Sequence, residues 1–295
     1  MFKNLSGDGW GFAPRQNEKI ELALTYGFKG IDIDLAEMVA RIAPISEHFA
    51  KRYITSAQKS AKLQIGSFRL PISMSGENND FNARLPKLEQ AAQFAASIEA
   101  RRCVLDISPG SNRLAYHENF ELYRTRIGTI ADILEKHSIR LGLGLIAAED
   151  SRRNYEYQFI HEAEPLLTLI KTVGRPNVGL AFDLWNWTVG DGGLDQLDDL
   201  PVEQIVSVRI ADVPENADLK TISFKQRLLP GTTPSSRAVK VVGILKAKKY
   251  DGPIAAAPHA SQFSGLTRDA VVLRTSEGLD RVLEQAGVTR LPVEA

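Results

Sequence analysis

The chain has 295 residues, 43% hydrophobic and 24% charged, with 36 Lys+Arg against 36 Asp+Glu. A formal net charge of zero offers neither the basic face a nucleic-acid binder needs nor a polybasic membrane anchor. The single cysteine, Cys103, excludes an internal disulfide and a cysteine-rich zinc site.

Apolar runs of strand length alternate with helix-length segments along the whole chain. A short strand is expected at 2–5, then a turn-rich stretch at 6–14. Residues 16–26 place Ile20, Ala23 and Leu24 on one face, which predicts a helix closed by Gly27. GIDIDL at 30–35 alternates Ile31, Ile33 and Leu35 against Asp32 and Asp34, the two-residue period of a strand. A helix over 36–62, broken near Pro44, leads to a third strand at 63–70.

The same reading gives a helix at 81–100, with Pro86 in its first turn or kinking it, and a strand at 102–107. A long amphipathic helix at 117–137 and a strand at 139–147 follow. After a charged loop at 149–154 comes a helix at 159–173, with Pro165 as a local fault, and the run 178–182 ending on Asp183. Strands at 205–211 and 253–257 flank a long loop, 212–234, and a helix at 235–249 whose serines can cap it. A last helix spans 267–286. Cys103 sits beside the apolar Val104 and Leu105, which predicts a packed thiol. No apolar stretch has the length of a membrane span, and MFKNLSGDGWGF lacks a signal-peptide apolar region; a cytoplasmic location is expected.

Eight strands, each followed by a helix, predict a single (β/α)8 barrel domain over 1–295. An open doubly wound sheet is the alternative, but no G-x-G-x-x-G follows the first strand. Barrels carry chemistry just past the C-terminal ends of their strands. The polar residues there are Asp34, Arg69, Asp106, Glu149 with Asp150, Asp183 with Asn186, Arg209 with Asp212, and His259. Asp183 reads equally as a carboxylate facing the barrel mouth and as a helix N-cap. Trp185 and Trp187 read as sugar-stacking rings or as core aromatics.

Most of the chain, in order, resembles the xylose isomerase-like TIM-barrel superfamily of sugar phosphate isomerases and epimerases. The resemblance is carried by YGFKGIDIDL at 26–35, ISPGSNRLAYHENFELYRTR at 107–126, IRLGLGLI at 139–146 and FIHEAEPLLTLIKTVGRPNVGLAFDLWNW at 159–187. IVSVRIADVP at 205–214, RLLPGTTP at 227–234 and YDGPIAAAPH at 250–259 extend it. It implies a divalent cation held by a glutamate after the fifth strand, an aspartate after the sixth, a histidine after the seventh and a glutamate after the eighth. This chain departs from that set. Gly144, Arg209 and Ala257 hold three of the four positions; Asp183 is retained, with Asn186 where a histidine is usual.

Glycine and alanine offer no ligand atom, and arginine is always protonated. No metal is therefore expected there, and an Asp183–Arg209 ion pair is expected instead. Mn, Mg, Co or Zn would bind only at relocated ligands, drawn from Glu149, Asp150, His161 and His259. The resemblance implies an isomerase or epimerase acting on a small carbohydrate or polyol. Asp183, Asp150 or Glu149 would carry protons and Arg209 would stabilise an enediolate, with Trp185, Asn186, Asp212, His259, Arg69 and Asp106 binding substrate. The competing reading is a silent barrel that binds a carbohydrate or a partner protein. An apurinic-site endonuclease, also within the superfamily, is disfavoured by the missing ligands and basic face. The oligomeric state stays open, a homo-oligomer included.

Overall fold

A computed structural model describes residues 1–12, 14–42, 63–233 and 237–288. Eight parallel strands close into a barrel: β1 (Phe2–Leu5), β2 (Gly30–Ile33), β3 (Gln64–Arg69), β4 (Arg102–Asp106), β5 (Arg140–Gly144), β6 (Val178–Asp183), β7 (Ile205–Ile210) and β8 (Pro253–Ala256). Neighbours in sequence are neighbours in the sheet, and β8 closes on β1 through Phe2↔Pro253 and Lys3↔Ile254. Two pairings set the mouth: Asp106 lies opposite Gly144, and Asp183 opposite Arg209.

The helices bury one stripe each against the barrel. Tyr116–Glu135 buries Ile127, Ile130, Ala131 and Leu134, the i, i+3, i+4, i+7 pattern of a helix face. Ala163–Val173 does the same with Leu166, Leu169, Ile170 and Val173. Each buried Leu, Ile or Val of these stripes contributes about 1.5–3 kcal/mol by leaving water. Cys103 is fully buried on β4, and burial pushes its thiol pKa up, so it is a packed residue.

Several boundaries move. The helix expected at 81–100 is Asn78–Ser97, which puts Pro86 two turns inside it. Asn82, whose carbonyl loses its donor there, is exposed to water. The helix expected at 159–173 begins at Ala163, so Pro165 falls in its first turn, where no amide donor is missed. Of the helix expected over 36–62 only Leu35–Ile42 is described; its break at Pro44 and the capping Ser235 lie outside the described residues. An antiparallel ribbon, Gly110–Ser111 with Tyr157–Gln158, joins the loops after β4 and β5. Its strands are too short to leave a period in sequence. No helix among the described residues is long and apolar enough to cross a membrane.

Three helices end on a non-glycine residue in the left-handed region: Glu99 (φ 64), Ser138 (φ 56) and Lys249 (φ 57). Each is followed by an amide bonded back to the last turn: Ala100 N to Ala95 O, Ile139 N to Leu134 O and Tyr250 N to Leu245 O. This is the helix ending that glycine favours, because an L side chain there costs about 1–2 kcal/mol. Lys249→Gly and Glu99→Gly are each expected to raise stability by about 1 kcal/mol in urea melts. A loss of stability in both would show that the side chains, not the backbone, dominate at these ends.

Candidate functional site

The mouth carries a ring of four charges. Arg69, at the end of β3, donates to Asp106 Oδ2 on β4 (2.8 Å) and to Asp8 Oδ2 in the loop after β1 (3.0 Å). Arg209, near the end of β7, reaches the same Asp8 oxygen at 2.8 Å and Asp106 Oδ2 at 4.0 Å. Each carboxylate thus faces both guanidiniums. Burial works against the charge on Asp8, but Arg209 and Arg69, with Lys19 behind them, outweigh it and hold its carboxyl below the usual range. Burial likewise works against Arg209, and Asp8 and Asp106 outweigh it. Below the ring, Asp32 Oδ1 accepts from Asn4 Nδ2 (2.9 Å), Ser67 N (2.7 Å) and Ser67 Oγ (2.9 Å).

A second ion pair lies beside this ring. Arg227, from the loop between β7 and the helix Arg237–Ala247, donates to Asp183 Oδ2 (2.6 Å) and to Ala257 O (2.7 Å). Both partners are buried: Arg227 is 3% exposed and Asp183 9%. The guanidinium stacks over Trp185 (5.3 Å) and Phe224 (5.1 Å). The loop is held on both flanks. Asp150 accepts from Ser223 Oγ (2.5 Å) and Phe224 N (3.2 Å), and His259 N donates to Arg227 O.

The expected Asp183–Arg209 pair is therefore replaced. The two residues are opposite in register, yet Arg209 points to Asp8 and Asp106, and the loop arginine takes Asp183. Asp183 is also the helix N-cap, with Oδ1 accepting from Asn186 N at 3.0 Å, so the capping reading holds for one oxygen while Arg227 takes the other.

The remaining candidates separate. Arg69, Asp106 and Arg209 come together with Asp8. Trp185 and Trp187 are fully buried. Trp185 lies against Phe224 and Arg227, so the core-aromatic reading replaces sugar stacking. Asn186 is spent on Ala147 N, and Asp212 on Thr232 N, Thr233 N and Thr233 Oγ1. Asp212 lines a separate cavity of about 240 Å³ with Thr188 and Arg237. His259 Nδ1 accepts from Ser261 N, and burial, then Lys225 and Arg227, push its imidazole below the ordinary value. Glu149 opens a short helix, 3.9 Å from Arg153. Asp34 accepts from Glu37 N at the start of Leu35–Ile42. His161 Nδ1 lies against Phe159 O.

Sequence reasoning missed Asp8 and Arg227. Asp8 stands three residues beyond β1, inside the turn-rich stretch at 6–14; its place after a strand end was the available signal. Arg227 lies in the long loop and carries no local signal.

The four positions assigned to metal ligands can be read directly. At 144 a Cβ would run into Asp106 Oδ1, so the neighbouring carboxylate fills the start of that side chain's path. At 183 both oxygens are engaged, at 209 stands a guanidinium, and at 257 the carbonyl accepts from Arg227. Among the described residues no three His, Cys, Asp or Glu side chains converge as a metal site would need.

Residues 20–281 match the family described as xylose isomerase-like TIM barrel. A xylose isomerase domain protein from Alicyclobacillus acidocaldarius superposes with a TM-score of 0.83 at 22% identity, covering 97% of this chain and 99% of that one. An IolI protein with a bound zinc atom gives 0.78 at 13% identity, with the same coverage. At these identities the likeness shows the fold alone. A Homo sapiens protein with the provisional name hydroxypyruvate isomerase is 26% identical over 133 residues, 43% of this chain and 46% of the relative. The chain thus spans less than half the length of that relative.

Proposed function

Since the chain belongs to the xylose isomerase-like TIM-barrel family, we propose that it binds a small carbohydrate, polyol or related hydroxy-carbonyl compound at the mouth, without a resident divalent metal. The observation that carries this reading is the pair of substitutes at the family's metal positions. Arg227 bridges Asp183 and Ala257 O, and Asp106 fills the space beside Gly144. A hard divalent cation wants about six oxygens, and a guanidinium repels it. The donor set therefore does not fit the metal that the family often holds.

The ring supplies what a hydroxylated ligand needs: two carboxylates to accept from hydroxyls and two guanidiniums to donate to carbonyl oxygens. The isomerase reading draws its support from the family and from the relative's name. It would set Arg209 against an enediolate, with Asp183, Asp150 or Glu149 moving the proton. Asp183 and Asp150 are already engaged by Arg227 and by the 223–224 turn, so the binding role is the better supported.

The test combines metal analysis, calorimetry against aldoses, ketoses and polyols with and without EDTA, and solvent-deuterium exchange into the same sugars. Substoichiometric metal, EDTA-insensitive binding and no exchange are expected. Arg209→Ala should weaken binding about ten- to a hundredfold, the worth of a charge-assisted contact. Stoichiometric metal, EDTA-sensitive binding or sugar deuteration would overturn the reading.

A further inference from the structure

Three of the four ring charges stand on barrel strands, and one does not. Arg69, Asp106 and Arg209 are fixed on β3, β4 and β7, whereas Asp8 arrives on the loop after β1. Gly7 and Gly9, on either side of it, have φ of +81° and +80°, a conformation an L side chain rarely adopts. One oxygen of Asp8 meets both arginines, at 3.0 and 2.8 Å. The same loop also buries two polar atoms that have no partner among the described residues, Ser6 Oγ and Trp10 Nε1. The contact is open to water: Arg69 is 56% exposed and Asp8 40%.

Charge counting completes the picture. With Asp8 in place, two guanidiniums face two carboxylates. With Asp8 withdrawn they would keep Asp106, 2.8 Å from Arg69 but 4.0 Å from Arg209, with Asp32 below them, and Arg209 would lose its 2.8 Å ion-pair partner. Arg209, 16% exposed, is the guanidinium that most needs a counter-ion. The group shown to satisfy both arginines together is a carboxylate.

We infer that Asp8 is an internal stand-in for the ligand. A small hydroxy acid places its own carboxylate between Arg69 and Arg209, and the glycine-flanked loop swings Asp8 aside. This inference rests on the ring being the ligand site and narrows the ligand's class to those hydroxylated compounds that carry a carboxylate. Asp8 then competes with the ligand, and its removal strengthens binding.

The experiment is calorimetry at low ionic strength with glycerate, glycerol and inorganic phosphate against the wild-type chain and Asp8→Ala. Glycerate should bind Asp8→Ala at least tenfold more tightly than wild type, Arg69→Ala and Arg209→Ala should abolish glycerate binding, and glycerol should bind both forms more weakly than glycerate and gain nothing from Asp8→Ala. In the wild type, glycerate should also change tryptophan fluorescence through Trp10, and Trp10→Phe should remove that change; this arm does not depend on the Asp8 variant folding. Weaker or unchanged glycerate binding in Asp8→Ala, a preference for phosphate, or no fluorescence change at saturation would overturn the inference. If neutral sugars bind through Arg209 and acids do not, this inference falls and the ring stays the ligand site. If Arg209→Ala affects neither class, the ring reading falls with it.

Discussion

Arg227→Met is expected to lower the unfolding free energy by about 3–5 kcal/mol, the usual consequence of removing one partner of a buried ion pair. Asp183 would be left 9% exposed with Asn186 N as its one remaining donor among the described residues, and Ala257 O would lose its 2.7 Å donor. The loss comes from the stranded carboxylate more than from the missing attraction. Asp183→Asn in the same chain keeps the helix cap and removes the charge, so the double variant should regain most of the difference. Urea unfolding of the wild type, both single variants and the double variant measures the coupling. A change below about 1 kcal/mol in Arg227→Met would mean that the loop does not seat on Asp183 in solution.

Gly144→Ala is expected to weaken ligand binding at a cost of about 0–1 kcal/mol in stability, because its Cβ would meet Asp106 Oδ1, the tip of a partly exposed side chain, and turn the carboxylate out of the ring. Displacing Asp106 also breaks its 2.8 Å bond with Arg69. In an Asp106→Ala background the added methyl has room, and Gly144→Ala should become nearly neutral. The same geometry governs any attempt to rebuild a metal site. Gly144→Glu, Arg209→His and Ala257→Glu together should bind no Mn, because Asp106 and Arg227 still occupy the space. Adding Asp106→Ala and Arg227→Ala should bring measurable affinity, read by calorimetry. Mn binding by the triple variant alone would show that these two side chains do not block the site.

The barrel was legible because its signals are local. The alternation in GIDIDL, the run before Asp183 and the stripe at Ile127, Ile130, Ala131 and Leu134 each act within a few turns or one strand. Boundaries slipped where a helix start had no capping side chain, as at Asn78 and Ala163. The site was legible only as a set of strand-end residues. Arg69, Asp106 and Arg209 were among them and do meet; Trp185, Asn186 and Asp212 were among them and are committed elsewhere.

The order of apolar and polar residues by itself determined that this chain forms eight strand–helix units, and the family resemblance put Gly144, Arg209 and Ala257 where metal ligands were expected. Only the tertiary structure decided which charges face one another. Asp8 reaches Arg209 across the closed barrel, and Asp183 is claimed by an arginine 44 positions away in a loop of no regular period. Backbone preference and hydrophobic spacing act over short stretches of chain. The partner of a buried charge is set by strand register, barrel closure and the path of a loop.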